Sequence, residues 1–149
     1  MSDNQKLSYC FNVDGANFTS AGEASVKVKK RLREAGFDPE TIRRVSIAMY
    51  EGEINMVIHA GGGKAEVVIE EDRIVIILTD EGPGIADIEQ AMKAGFSTAQ
   101  DNIRALGFGA GMGLPNMERY SDEMRIETEI GKGTTVYMTI LSDSPKNAL

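Results

Sequence analysis

Three segments carry residues whose types and spacing could do chemistry. In the first, YEGEINMVIHA, Glu51, Asn55 and His59 stand at i, i+4 and i+8. On a helix they share one face. A carboxylate and an amide on that face, in an apolar context, could orient a nucleophile. An amide oxygen, together with phosphate oxygens, can hold hydrated Mg²⁺, a hard cation that keeps several waters. The same spacing also describes a solvated polar face. The second segment is TDEGPGI, directly after an apolar run. Asp80 can accept a hydrogen bond from an exocyclic amine, and Gly82 and Gly84 permit a tight turn and close approach to a flat ligand. An ordinary turn has the same composition. In the third, LGFGAGMGLPNM, Gly107, Gly109, Gly111 and Gly113 alternate before a helical stretch. Backbone N–H groups of such a loop, with a helix start behind them, make an anion site. A surface loop is the plain alternative. The run lacks the GxxxxGK[ST] spacing of a P-loop and the βαβ setting of a dinucleotide fold.

These segments need elements to position them. Residues Leu7 to Val13 read as a strand. A helix is expected from about Ser20 to Ala35, closed by Gly36. Asp38 as N-cap and Pro39 at the first position start a second helix, which runs to about Ala60 before Gly61-Gly62-Gly63. Its Ile42, Val45, Ala48, Met49 and Ile54 recur at helical spacing. Strands follow at Ala65 to Glu70 and Ile74 to Thr79, with a turn at Glu71-Asp72. The continuous apolar run Ile74 to Leu78 marks a central strand. A short helix is expected from about Ala86 to Ala94, then a glycine-rich loop to Gly113. A helix from Leu114 to Ser121 and strands at Met124 to Ile130 and Thr134 to Leu141 complete the pattern. The tail 142–149 reads as frayed. The whole chain, 1–149, reads as a single domain: an α+β two-layer sandwich with helices on one face of a mixed, mainly antiparallel sheet.

Composition narrows the classes. With 149 residues, 42% of them apolar, one packed core is expected. No apolar run approaches a membrane span. The opening MSDNQKLSY lacks a basic-then-apolar signal pattern, so a cytoplasmic location is expected. The net charge of −7 disfavours non-specific nucleic-acid binding. One basic cluster, Lys27 to Arg33, reads as a solvated helix face, with a docking patch for an acidic partner as the sharper alternative. The single cysteine, Cys10, permits no intrachain disulfide and is expected to be a small buried hydrophobe. Cys10 and His59 alone cannot fill a zinc site.

Together, in this order, the three segments resemble the N box and the two glycine boxes of the GHKL ATPase superfamily. The resemblance covers roughly Ile42 to Ile140. The wording of EGEINMVIHAGGG, DEGPGI, AGFSTA, GAGMGLPNMERYSDEM and GKGTTV is similar to the small anti-sigma regulatory kinases. It is most like the RsbT switch-kinase group, with the RsbW and SpoIIAB groups next. The resemblance implies a Bergerat-type (histidine-kinase-like) fold, ATP with Mg²⁺ as cofactors, and transfer of phosphate to serine or threonine of a STAS-domain partner. A sigma factor or a phosphatase is a further possible partner, and a homodimer is an open option. By this resemblance Glu51 would be the general base, Asn55 would bind Mg²⁺, and Asp80 would read the adenine amine beside Gly82 and Gly84. Gly109, Gly111, Met112 and Gly113 would wrap the phosphates, Thr134 would support the adenine end, and Arg104 would touch the γ-phosphate. A structural and a catalytic role both stay open for His59. Two other functions compete: a histidine-kinase fragment, and a nucleotide-dependent binding module that sequesters or activates a partner without turnover.

Overall fold

The computed structural model describes residues 7–14, 22–92 and 113–142. Strand β1 (Leu7–Asp14) leads to helices α1 (Glu23–Ala35) and α2 (Pro39–Ala60). The hairpin β2 (Gly62–Ile69) and β3 (Arg73–Asp80) follows, then the short helix α3 (Ile88–Ala91). Helix α4 (Gly113–Arg119) and the hairpin β4 (Glu123–Glu129) and β5 (Gly133–Leu141) complete it.

Local chemistry sets the helix ends. Gly36 adopts φ 87° and its N–H returns to the carbonyls of Arg33 and Leu32, closing α1. The Asp38 side chain accepts from the Thr41 N–H at 3.1 Å, and Pro39 supplies the fixed φ of the first turn of α2. Gly61, at φ 75°, ends α2.

The strands form one sheet in the order β1-β2-β3-β5-β4. All four pairings are antiparallel, where a mixed, mainly antiparallel sheet was expected. The expectation of a central strand holds, since β3 is third of five. Alternate residues of the inner strands, such as Val67, Ile76 and Met138, are fully buried beneath Val28, Leu32, Val45 and Met49 of α1 and α2. The helices thus cover one face, and the two-layer α+β sandwich is as read from the sequence. Among the described residues no helix is long and apolar enough to cross a membrane.

Four details differ from the sequence reading. Strand β2 begins at Gly62, not Ala65, because Gly62 and Gly63 pair with Asp14 and Val13. A Cβ at Gly63 would lie 2.3 Å from the Thr79 carbonyl oxygen, so a side chain there would block the strand approach. Cys10 is exposed rather than buried. Tyr9, Phe11 and Val13 turn toward the core, and the two-residue period sends Cys10 to the open face with Ser8 and Asn12. The described part of α3 is one turn, started by the Asp87 side chain on the Gln90 N–H. Helix α1 begins at Glu23, and 15–21 lie outside the described residues. The cations from Lys27 to Arg33 are exposed, as a solvated helix face would be.

Candidate functional site

Helix α2 is the spine of the site. Glu51 and Asn55 are half-buried and one turn apart on one stripe. Glu51 meets α4: the Asn116 amide Nδ2 donates to its Oε2 at 3.3 Å. Burial raises the Glu51 pKa above the ordinary carboxylate value, and the Asn116 hydrogen bond partly opposes this. Asn55 faces the start of α4, where a Cβ built on Gly113 would come 3.5 Å from its Oδ1. The absent side chain keeps the amide oxygen open toward the first turn of α4.

Asp80 closes β3 at the other end. Its Oδ1 accepts from the Gly82 N–H at 2.9 Å and from the Thr134 N–H at 3.2 Å. Both bonds fall on one oxygen, so among the described residues Oδ2 is left to accept from a ligand amine. Thr134 is paired with Asp80 in the β3–β5 register and shares a 2.8 Å hydroxyl contact with Thr128. Thr128 Oγ1 also accepts from the Ile85 N–H at 2.9 Å. The glycines of the second segment are required by space. A Cβ at Gly82 would lie 2.6 Å from Ala60 Cβ. Gly84 sits at φ 85° with the Glu129 carbonyl oxygen 2.6 Å from where a Cβ would be. The DEGPG turn is therefore seated against the end of α2 and the β4–β5 hairpin, to which Gly131 N–H adds a 2.9 Å bond onto Pro83 O.

The two halves meet along α2. From Glu51 to Ala60 is nine residues, a rise of about 13.5 Å. One helix thus spaces a proton acceptor, an amide oxygen and a carboxylate-lined turn in a row. The structure brings together Glu51, Asn55 and Gly113 at one end and Asp80, Gly82, Gly84 and Thr134 at the other. Arg104, Gly109, Gly111 and Met112 lie outside the described residues. His59 stands further along α2, half-buried, and burial holds its pKa below the ordinary imidazole value.

The donor set suits a hard cation held jointly with phosphates. Asn55 supplies a neutral oxygen, and phosphate oxygens would supply the rest. Among the described residues no group of three or more His, Cys, Asp or Glu could hold a metal without such help.

Two participants escaped the sequence reading. Asn116 sits within a quoted motif, yet its contact spans 65 positions and has no local signature. Glu53 was readable: it falls in phase with the buried Met49 and Met56, so a carboxylate occupies a core position of α2. Its oxygens accept from the N–H groups of Gly22, Ala24 and Ser25 at 2.8–3.1 Å. Glu53 caps α1, where Gly22 offers no side chain.

Known proteins are similar to this chain over most of its length. Residues 16–140 match the model of the histidine kinase-like ATPase domain. An anti-sigma F factor of Caldanaerobacter subterraneus subsp. tengcongensis is 38% identical over 112 residues, covering 70% of this chain and 75% of the relative. The serine/threonine-protein kinase RsbT of Bacillus subtilis is 34% identical over 108 residues, with the same 70% and 75% coverage. Among solved structures, the RsbU and RsbW domains of a Mycobacterium tuberculosis protein superpose with a TM-score of 0.59 at 19% identity, covering 91% of this chain and 33% of that longer one. The mycobacterial sensor histidine kinase MprB gives a TM-score of 0.52 at 16% identity, covering 93% and 99%. These two likenesses speak for the fold alone. The matched span holds every described residue of the site, and the chain belongs to the histidine kinase-like ATPase family, among relatives that include anti-sigma F factors and the RsbT kinase.

Proposed function

We propose that this chain is one Mg-ATP-dependent protein kinase domain of the anti-sigma regulatory type, and that it phosphorylates a serine or threonine of a STAS-domain partner. A complex with a sigma factor or a phosphatase, a cytoplasmic location and a homodimer belong to the same proposal. The observation that carries it is Glu51: a half-buried carboxylate, held above its ordinary pKa by burial, one helical turn from Asn55 and in contact with α4. A carboxylate whose basicity is raised by burial is the right kind of group to receive a hydroxyl proton. The names of two relatives, anti-sigma F factor and serine/threonine-protein kinase RsbT, support a regulatory kinase acting on serine or threonine, and the STAS-domain partner rests on the resemblance of the sequence motifs.

In this mechanism Asp80 Oδ2 accepts from the adenine amine, while the backbone bonds to Oδ1 fix the carboxylate plane. Gly82 and Gly84 let the turn lie against the base. Asn55, with phosphate oxygens, would hold Mg²⁺, which when bound supplies charge neutralisation to the phosphates. Glu51 orients the partner's hydroxyl and takes its proton. The hydroxyl oxygen forms the new bond to the γ-phosphorus, the bond to the bridging oxygen breaks, and ADP leaves. Arg104, Gly109, Gly111, Met112 and Gly113 are assigned to the phosphates.

The test is calorimetry of Mg-ATP binding to wild type, Asn55→Ala and Asp80→Asn, followed by γ-labelled ATP with candidate STAS proteins. Asn in place of Asp80 can keep both backbone bonds but turns a donor toward the adenine amine. It should therefore stay folded and lose at least tenfold in affinity, the worth of one hydrogen bond turned to repulsion. Label on a partner serine or threonine, absent in Glu51→Ala, is the expected result. Folded wild type that binds no Mg-ATP would overturn the reading. Binding without transfer would leave a nucleotide-dependent binding module.

A further inference from the structure

We propose that Asn116 is a positioning residue for Glu51, tying the carboxylate to helix α4 so that one oxygen stays aimed at the incoming hydroxyl. The inference rests on the reading of Glu51 as the base. Asn116 Nδ2 donates to Glu51 Oε2 at 3.3 Å across 65 positions of chain, and both side chains are partly buried. An amide N–H can only donate. It therefore favours the ionised carboxylate, the form able to accept a proton, and occupies one of its two oxygens. Among the described residues Oε1 is left for the hydroxyl.

Asn116 is itself held firmly. Its neighbours Leu114 and Met117 are buried, and Met117 Cε would lie 3.4 Å from a Cβ on Gly52, the residue after Glu51. Helix α4 grips α2 twice within two adjacent residues, once through an apolar contact and once through the amide. It also follows directly on the glycine run. A shift of α4 would move the Glu51 carboxylate with it.

The charged neighbours are placed elsewhere. On α4, Glu118 and Arg119 are exposed. From α1 and β1, Glu23, Lys27 and Asp14 line a cleft with Glu53, which turns away from Glu51 toward α1. The sheet presents buried apolar residues such as Leu78 beneath this part of α2. Among the described residues, burial and the Asn116 bond are the influences acting on Glu51.

The experiment follows the Glu51 carboxyl carbon by NMR titration in the full chain, assigned with Glu51→Gln, for wild type, Asn116→Leu and Asn116→Ser. Both variants lack a donor that reaches Oε2. Glu51 is expected to titrate at higher pH in each. With a phosphorylatable partner, transfer on the acid side of the pH profile should fall about tenfold, the worth of one hydrogen bond to a carboxylate. KM for ATP should stay within about twofold, and transfer should recover toward wild type at high pH. An unchanged Glu51 titration in a folded variant overturns the proposal, and Asn116→Ser serves if Asn116→Leu does not fold. If the titration moves and the pH profile of transfer does not, the positioning stands and the role of Glu51 as base fails.

Discussion

His59 carries its imidazole partly inside the fold, near the end of α2, and burial pushes its pKa below the ordinary 6.5. The unfolded chain takes up a proton there more readily than the folded one. Stability supplied by neutral His59 is therefore complete above pH 6.5 and is lost as pH falls through the lower folded value. Glu51 and Glu53 act with the opposite sign. Their folded pKa values lie above the ordinary 4.5, so their contribution is full below that value and declines as pH rises through the folded values. A single pH–stability curve sums all three contributions. Comparison with His59→Gln separates them: the urea-midpoint difference between wild type and variant should change in the variant's favour between pH 7.5 and pH 5. An equal difference at both values would show that His59 is not buried neutral. At this scale the sequence was partly legible. Glu51 and Asn55 could be read because their spacing is local and helical. Asn116 could not, because what gives it a role is the fold that carries α4 to α2.

Elements were most legible where their ends are self-contained. Gly36, Asp38-Pro39 and Gly61 punctuate the chain with their own backbone chemistry, and the helices stop and start there. The start of α1 is different. Gly22 has no side chain to cap it, so the caps come from Glu53, which lies 28 to 31 residues away for the three bonds. Ser25 adds its hydroxyl to the Gly22 carbonyl at 2.8 Å. Replacing Glu53 with Ala leaves three backbone donors without their acceptor. The expected cost is about 2 kcal/mol, since some of the buried N–H groups lose a charged partner while others can find water through the adjoining cleft. Amide exchange at Ala24 and Ser25 should accelerate more than in α2. Glu53→Gln keeps an acceptor oxygen and should recover part of the loss in the same urea melts. If α1 exchanges no faster in a folded Glu53→Ala, the cap does not hold the helix. The side on which β1 turns Cys10 belongs to this scale too. An apolar stretch on an edge strand gives the period but not which phase faces the helices.

At the scale of the whole molecule, the helix layer meets the sheet closely at Gly52. A Cβ there would fall 2.1 Å from Leu78 Cδ1 on the central strand β3, and Leu78 is 2% exposed. This answers why a glycine stands inside a long helix beside a candidate base: it lets α2 sink onto the sheet, which sets the height of Glu51 over α4. The run Ile74 to Leu78 announced a central strand, but that β5, not β4, would lie beside it depends on a pairing formed across more than fifty residues. Helix propensity alone says that Gly52→Ala should stabilise by about 1 kcal/mol. Overpacking of a filled core costs about 1–3 kcal/mol, so the second effect should win by about 1 kcal/mol. For a chain of this size that lowers the melting temperature by roughly 2–4 °C. The contact can be isolated with Leu78→Val, which removes the clashing reach of Cδ1. Gly52→Ala should be less harmful in that background than in wild type, by about 0.5 kcal/mol or more in a double-mutant cycle. Because α2 must rise or tilt to admit the methyl, phosphate transfer should fall further than the loss of stability accounts for. A stabilised Gly52→Ala, with Leu78→Val additive to it, would mean that the helix and the sheet are not held at contact distance there, and that the height of Glu51 is set by some other part of the core.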